Sequence, residues 1–136
     1  MTPLDAASVP SIRVAAAVIR DDTGRLLLVR KAGTTAFMQP GGKPEPGETP
    51  DETLVRELAE ELGVIVSVTA LRSLGVFHAA AANEPGHVVV AHVFDVSIAG
   101  QEPAAAAEIA EIRWVAAEEA GALEVAPLAV EYFLRG

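Results

Sequence analysis

The chain contains no cysteine among its 136 residues. That removes disulfides, thiolate zinc sites and cysteine nucleophiles in one step. It is also short of positive charge. Ten Lys and Arg against nineteen Asp and Glu leave a net charge of -9. Gripping a nucleic-acid polymer rests largely on cationic contacts to phosphate, so that class of partner is not expected. No uninterrupted apolar run approaches bilayer-spanning length, and Met1–Pro10 has no basic segment followed by an apolar one. These features point to a soluble cytoplasmic protein with neither a membrane nor a nucleic-acid polymer as partner. Ser and Thr show no partnering His and Asp arrangement, and the three histidines have no metal-ligand spacing. There is no internal repeat and no linker composition. Residues 1–10 read as a lead-in and 11–136 as one domain, long enough for a real core.

What is present is mostly strand. Ser11–Ile19 is apolar without helical period or alternation, as in a strand covered on both faces. Asp21-Asp22-Thr23-Gly24 is a turn signal, and Leu26–Val29 follows, so the pair predicts a β-hairpin. Ile65–Ser73, Gly75–Ala81, His87–Ile98 and Ile109–Val115 read as further strands, with Trp114 in the core. Short helices are expected over Ala116–Gly121 and Pro127–Arg135. Between the second and third strands lies the best-marked helix. Thr49-Pro50-Asp51-Glu52 opens it with a capping box and a first-turn proline, and Gly63 closes it. This order predicts an α+β protein, an α/β/α sandwich around a mixed β-sheet.

The central helix carries the chemistry. Its wheel is read with Leu54, Val55, Leu58, Ala59 and Leu62 on one side and Glu57, Glu60 and Glu61 together on the other. Like charges at these spacings destabilise a helix by roughly 0.2–0.5 kcal/mol per pair, and no Lys or Arg is placed on that face to offset them. Carboxylates without nitrogen or sulfur partners suit a hard cation, Mg2+ or Mn2+, which shares its remaining positions with water and phosphate. Arg56 is long enough to pair with the loop carboxylate of Glu48 and so fix the loop against the helix. Gly41, Gly42 and Gly47 permit close backbone approach beside such a site.

The residues Gly42, Glu48, Arg56-Glu57, Leu58, Glu60-Glu61, Gly63 and Val64 fill every specified position of the Nudix box. At average residue usage, a chance match at one site is on the order of one in a hundred million. The chain resembles a small, MutT-like Nudix hydrolase, and the resemblance implies a Nudix-type sandwich. It also implies Mg2+- or Mn2+-dependent hydrolysis of a pyrophosphate linkage in a nucleoside diphosphate joined to another moiety. On that resemblance Gly42, Glu57, Glu60 and Glu61 are metal-site residues, with Glu111 added from a late-domain pattern. Arg56 and Glu48 are orienting residues, and the general base is Glu57 or Glu60, with Glu111 or Glu108 outside the box. Arg30 and Lys43 are the nearest cations for phosphate, and Phe37 and Gln39 are candidates to stack on and hydrogen-bond a nucleobase. Markers of the ADP-ribose, dinucleotide, NADH and coenzyme A branches are missing, with Ala79–Ala82 at the informative stretch. The expected substrate is therefore a nucleoside triphosphate or a modified one. ADP-ribose or another nucleotide sugar, and a non-catalytic nucleotide sensor, are the alternatives; a homodimer is left open.

Overall fold

The computed structural model describes residues 9–134. The lead-in expected over 1–10 thus lies, apart from Val9 and Pro10, outside the described residues. So does Arg135, the expected end of the last helix.

Two sheets form the centre. In one, the order is β3 (Gly41–Gly42), β1 (Ser11–Val18), β5 (Val88–Asp95) and β4 (Arg72–Ala80). β1 runs parallel to β5, and the other pairings are antiparallel, which makes the sheet mixed. The second sheet pairs β2 (Leu26–Lys31) with β6 (Ile109–Val115) in antiparallel register. Helix α1 (Pro50–Leu62) covers one side of this assembly and α2 (Pro127–Tyr132) the other.

The lack of alternation in β1 and β2 now has its cause. Side chains alternate faces along a strand. Ala15, Ala17, Leu27 and Val29 pack with Leu54, Leu58 and Leu62 of α1, whereas Ala16, Val18, Leu26 and Leu28 pack with Leu128 and Ala129 of α2. Both faces are buried, so both parities are apolar. Trp114 is half-buried against the α1-side cluster.

Three expectations need correction. The first hairpin survives only at its neck, as an Arg20–Leu26 bridge and the Leu27 N–H to Ile19 carbonyl bond at 2.9 Å. Beyond it the strands part, because β3 and β5 occupy both edges of β1 while β2 is taken by β6. Within the strand expected over Ile65–Ser73, residues 65–71 are not strand: they hold a 3-10 turn at Val68–Ala70, and β4 begins at Arg72. β4 then runs through Gly75, whose φ of 107° accommodates a bulge in the pairing with β5. The third correction is to the helix wheel. At about 100° per residue, Glu61 falls only about 20° from Leu54 and belongs to the apolar stripe. The structure buries Leu54, Leu58, Glu61 and Leu62, while Val55 and Ala59 are half-buried.

The ends of α1 follow their signals. Glu52 N–H donates to Thr49 Oγ1 and Thr49 N–H donates to Glu52 Oε1, closing the capping box. Gly63 takes φ 67° and donates to the Ala59 carbonyl. Among the described residues no helix is long and apolar enough to cross a membrane.

Candidate active site

The two glycines of β3 make room for close neighbours. A Cβ on Gly41 would collide with the Ala15 carbonyl, and its φ of 146° already favours glycine. A Cβ on Gly42 would collide with Glu57 Oε2. The strand therefore lets the backbone lie directly against the acidic side of α1.

Glu61 is 1 % exposed, and its Oε1 accepts the Gly41 N–H at 3.1 Å. Burial pushes its carboxyl up to about 8, only partly offset by that hydrogen bond. Burial also raises Glu57, against the nearby positive charge of Arg56. Glu57 and Glu61 repel each other, and Glu108 adds to the repulsion on both. A buried carboxyl, Glu61, and a half-buried one, Glu57, thus share one region.

Arg56 ties the glycine-rich loop to the helix. Its Nε and Nη2 donate to the two oxygens of Glu48 at 2.7 and 2.9 Å, and Nη2 also reaches the Lys43 carbonyl at 3.1 Å. Glu48 Oε1 further accepts from the Glu45 N–H and Thr53 Oγ1. The Arg56 guanidinium and these donors hold the Glu48 carboxyl down at about 2. The pairing expected from sequence is present. The expected absence of a cation from the acidic face is not: Arg56 Nη1 lies 3.2 Å from Glu60 Oε1 and 3.7 Å from Glu57 Oε2. The guanidinium reaches around the helix, which a wheel of Cα positions does not show. The Glu60 side chain is 52 % exposed.

A cleft of about 480 Å³ opens beside this region, within the usual size for a small-molecule site. Gly41, Gly42, Lys43, Arg56 and Glu57 line it from the box, and Lys31 and Glu108 from elsewhere. Gln39 lines it too, together with Val14, Ala16, Leu128 and Ala129, which form apolar wall. The β4–β5 connection adds residues from Ala80 to Glu84.

Other expected residues sit elsewhere. Phe37 is 6 % exposed, packed in the α2-side core with the Arg113 guanidinium over its ring at 5.4 Å; it is not in the cleft and offers no face for stacking a base. Arg30 is held by Glu111 Oε1 at 3.2 Å and the Thr34 carbonyl at 2.9 Å. Glu111, which also meets Arg113, does not line the cleft, because it lies opposite Arg30 in the β2–β6 register. Glu108 takes its place at the cleft. The loop before it docks on the end of α1, with Ala106 N–H on the Glu61 carbonyl, and Ala107 takes φ 53°. Lys31 was not singled out from sequence, since a lysine ending a strand carries no signal of its own. The histidines have local roles: His92 stacks on Phe94 at 4.5 Å and meets Ser73 Oγ, and the His78 carbonyl accepts from Tyr132.

Among the described residues, no three His, Asp or Glu side chains converge as a formed metal cluster. The donor set nonetheless fits a hard divalent cation. It offers only oxygen ligands, and Glu57 and Glu61 are crowded carboxyls whose ionised forms a cation would favour.

The geometry agrees with comparison to known proteins. Over 119 residues the chain is 34 % identical to a MutT-like protein of Streptomyces ambofaciens, covering 86 % of this chain and 72 % of the relative. Over 58 residues it is 43 % identical to an 8-oxo-dGTP diphosphatase of Haemophilus influenzae, covering 40 % of this chain and 43 % of that protein. The match therefore spans less than half the length of the Haemophilus relative. The crystal structure of a MutT protein from Methanosarcina mazei superposes with a TM-score of 0.72 at 27 % identity, covering 93 % of this chain and 91 % of that one. The family model of the NUDIX domain matches residues 10–135, so the chain belongs to the Nudix family.

Proposed function

We propose that this protein is a divalent-cation-dependent pyrophosphohydrolase that converts a nucleoside triphosphate, ordinary or modified, to the monophosphate and pyrophosphate. The observation that carries the reading is the pair of buried Glu61 and half-buried Glu57, packed against Gly41–Gly42 beside a cleft of nucleotide size. The 8-oxo-dGTP diphosphatase name of the Haemophilus relative supports a triphosphate as substrate. A small nucleotide as substrate fits a cytoplasmic enzyme.

The residues that would hold Mg2+ or Mn2+ are Glu57 and Glu61, with Glu60 and the Gly42 backbone beside them. A bound cation neutralises phosphate charge and acidifies water. Glu57 lines the cleft and has a raised carboxyl, so it is the group placed to take a proton from the attacking water. Lys31 and Lys43 line the same cleft and supply positive charge to the triphosphate. Arg56 acts by position, holding Glu48 and the loop so that Gly42 stays against Glu57. Water adds to one phosphorus, the bridging P–O bond breaks, and the proton from water leaves through the carboxylate.

The test is a nucleotide panel with Mg2+ or Mn2+, read as phosphate released after inorganic pyrophosphatase. Turnover of triphosphates that disappears in Glu57→Gln and in Glu61→Gln is the expected result. Activity that survives the double variant overturns the assignment, and no turnover of any nucleotide overturns the enzymatic reading.

A further inference from the structure

The apolar end of the cleft has two walls. Leu128 and Ala129 of α2 form one. Ala80 and Ala81, where β4 ends and its connection to β5 begins, form the other. The first wall is a helix of six residues with no side-chain cap at its N-terminus. So short a helix does not hold itself in water, and its place depends on what it touches.

Three ties hold it. At its start, Ala126 N–H donates to the Phe37 carbonyl at 2.8 Å. At its end, Arg20 Nη2 donates to the Phe133 carbonyl at 2.9 Å. The third tie joins the two walls to each other. Tyr132 Oη donates to the His78 carbonyl of β4 at 3.0 Å, just before Ala80. Around that bond the Tyr132 and Phe133 rings meet Phe77 edge-on, with centroids 4.9 and 5.2 Å away. Tyr132 itself does not line the cleft. It shares a face of α2 with Leu128 and Ala129, which lie one helical turn back.

We propose that Tyr132 is a positioning residue that pins α2 to β4, fixing the width of the nucleoside end of the cleft, and that docking of α2 is a condition of nucleotide binding. A nucleoside packed on Leu128 and Ala129 binds the docked helix and not the undocked one. By linkage it also holds the helix down. This rests on the reading that the cleft holds a nucleotide, and it names what keeps the wall in place.

The test is hydrogen exchange of the whole chain without metal, at the amides of Val130, Phe133 and Leu134, which donate to the Ala126 and Ala129 carbonyls. In the free protein these amides are expected to exchange faster than those of α1, through local opening. Saturating AMP or CMP should slow them about tenfold or more. Tyr132→Phe removes the hydroxyl and keeps the ring, and should speed them about three- to tenfold, the worth of one hydrogen bond. Calorimetry adds a second readout. Tyr132→Ala should weaken nucleotide binding about tenfold or more, while Val130→Ala, exposed on the same helix and outside the cleft, should stay within about twofold. The wild-type and Tyr132→Phe measurements stand even if Tyr132→Ala does not fold. Exchange no faster than in α1, exchange unmoved by Tyr132→Phe or by bound nucleotide, equal weakening by Tyr132→Ala and Val130→Ala, or no binding of either nucleotide overturns the proposal. A hydrolysis assay separates it from the activity. Cleavage of triphosphates by a protein whose α2 amides ignore bound nucleotide overturns the role of Tyr132 alone. Slowed exchange without cleavage of any nucleotide supports Tyr132 and overturns the enzymatic reading.

Discussion

Glu61→Gln is expected to stabilise the metal-free protein at high pH and to do little at low pH. Glu61 is 1 % exposed, with the Gly41 N–H as its hydrogen-bond donor, and its carboxyl is raised from 4.5 to about 8. The folded state therefore holds the proton to a higher pH than the unfolded state does. The stability linked to this group is complete below about pH 4.5 and is lost as pH rises through about 8. At full ionisation the displacement corresponds to an order of magnitude of 3–5 kcal/mol, roughly 1.4 kcal/mol for each tenfold step. The glutamine keeps an oxygen for Gly41 and has no charge to bury. Urea unfolding in EDTA from pH 5 to pH 9 measures the effect as the variant's advantage over the wild type. That advantage should be below about 1 kcal/mol at pH 5 and reach several kcal/mol at pH 9. Taking the difference cancels Glu57 and every other group that titrates alike in both proteins. Added Mg2+ at pH 9 should recover stability in the wild type more than in the variant, because ligand binding to the folded state adds stability by mass action. Parallel pH curves for the two proteins would refute the placement of Glu61 as a buried carboxyl lacking a counter-charge.

The two glycines of β3 should separate stability from activity. Gly41→Ala forces a Cβ into the Ala15 backbone and should lower the urea midpoint sharply, by about 2 kcal/mol or more. Gly42→Ala meets only the end of the Glu57 side chain, so the fold should persist while turnover falls about 10- to 100-fold. Arg56→Lys replaces a two-pronged donor with a point charge, and should lower both the thermal midpoint and turnover, by about 10- to 100-fold for the latter; full activity would show that the Glu48 clamp is dispensable. Phe37→Ala should cost about 3–5 kcal/mol in urea unfolding and leave KM of the folded fraction unchanged; a raised KM would place the ring on substrate after all. Glu111→Gln should leave turnover within about twofold, since Glu111 serves Arg30 and Arg113 outside the cleft.

The sequence by itself determined the local features that depend on neighbours in the chain. The capping box at Thr49 and Glu52 and the left-handed cap at Gly63 form as their residue types require. So does the Arg56–Glu48 clamp, which spans only eight positions across one turn. The box pattern also determined the family. Pairing was another matter. Apolar runs such as Ser11–Ile19 and Leu26–Val29 show that strands exist and are covered on both faces, but not which edges they join. Competition for edges is a property of the whole sheet, and β3 and β5 took both sides of β1. Tertiary structure decided the fates of most of the individual site residues, while the helical period already placed Glu61 beside Leu54. Glu61 was drawn into the core beside Leu54, Glu60 was turned out to Arg56, and Phe37 was buried. Glu108 and Lys31 reached the cleft while Glu111 and Arg30 neutralised each other. The burial of Phe37 and the exchange of Glu111 and Arg30 for Glu108 and Lys31 follow from distances between segments far apart in the chain. Gln39 is likewise held by Ala17, twenty-two residues earlier, whose carbonyl accepts from its amide.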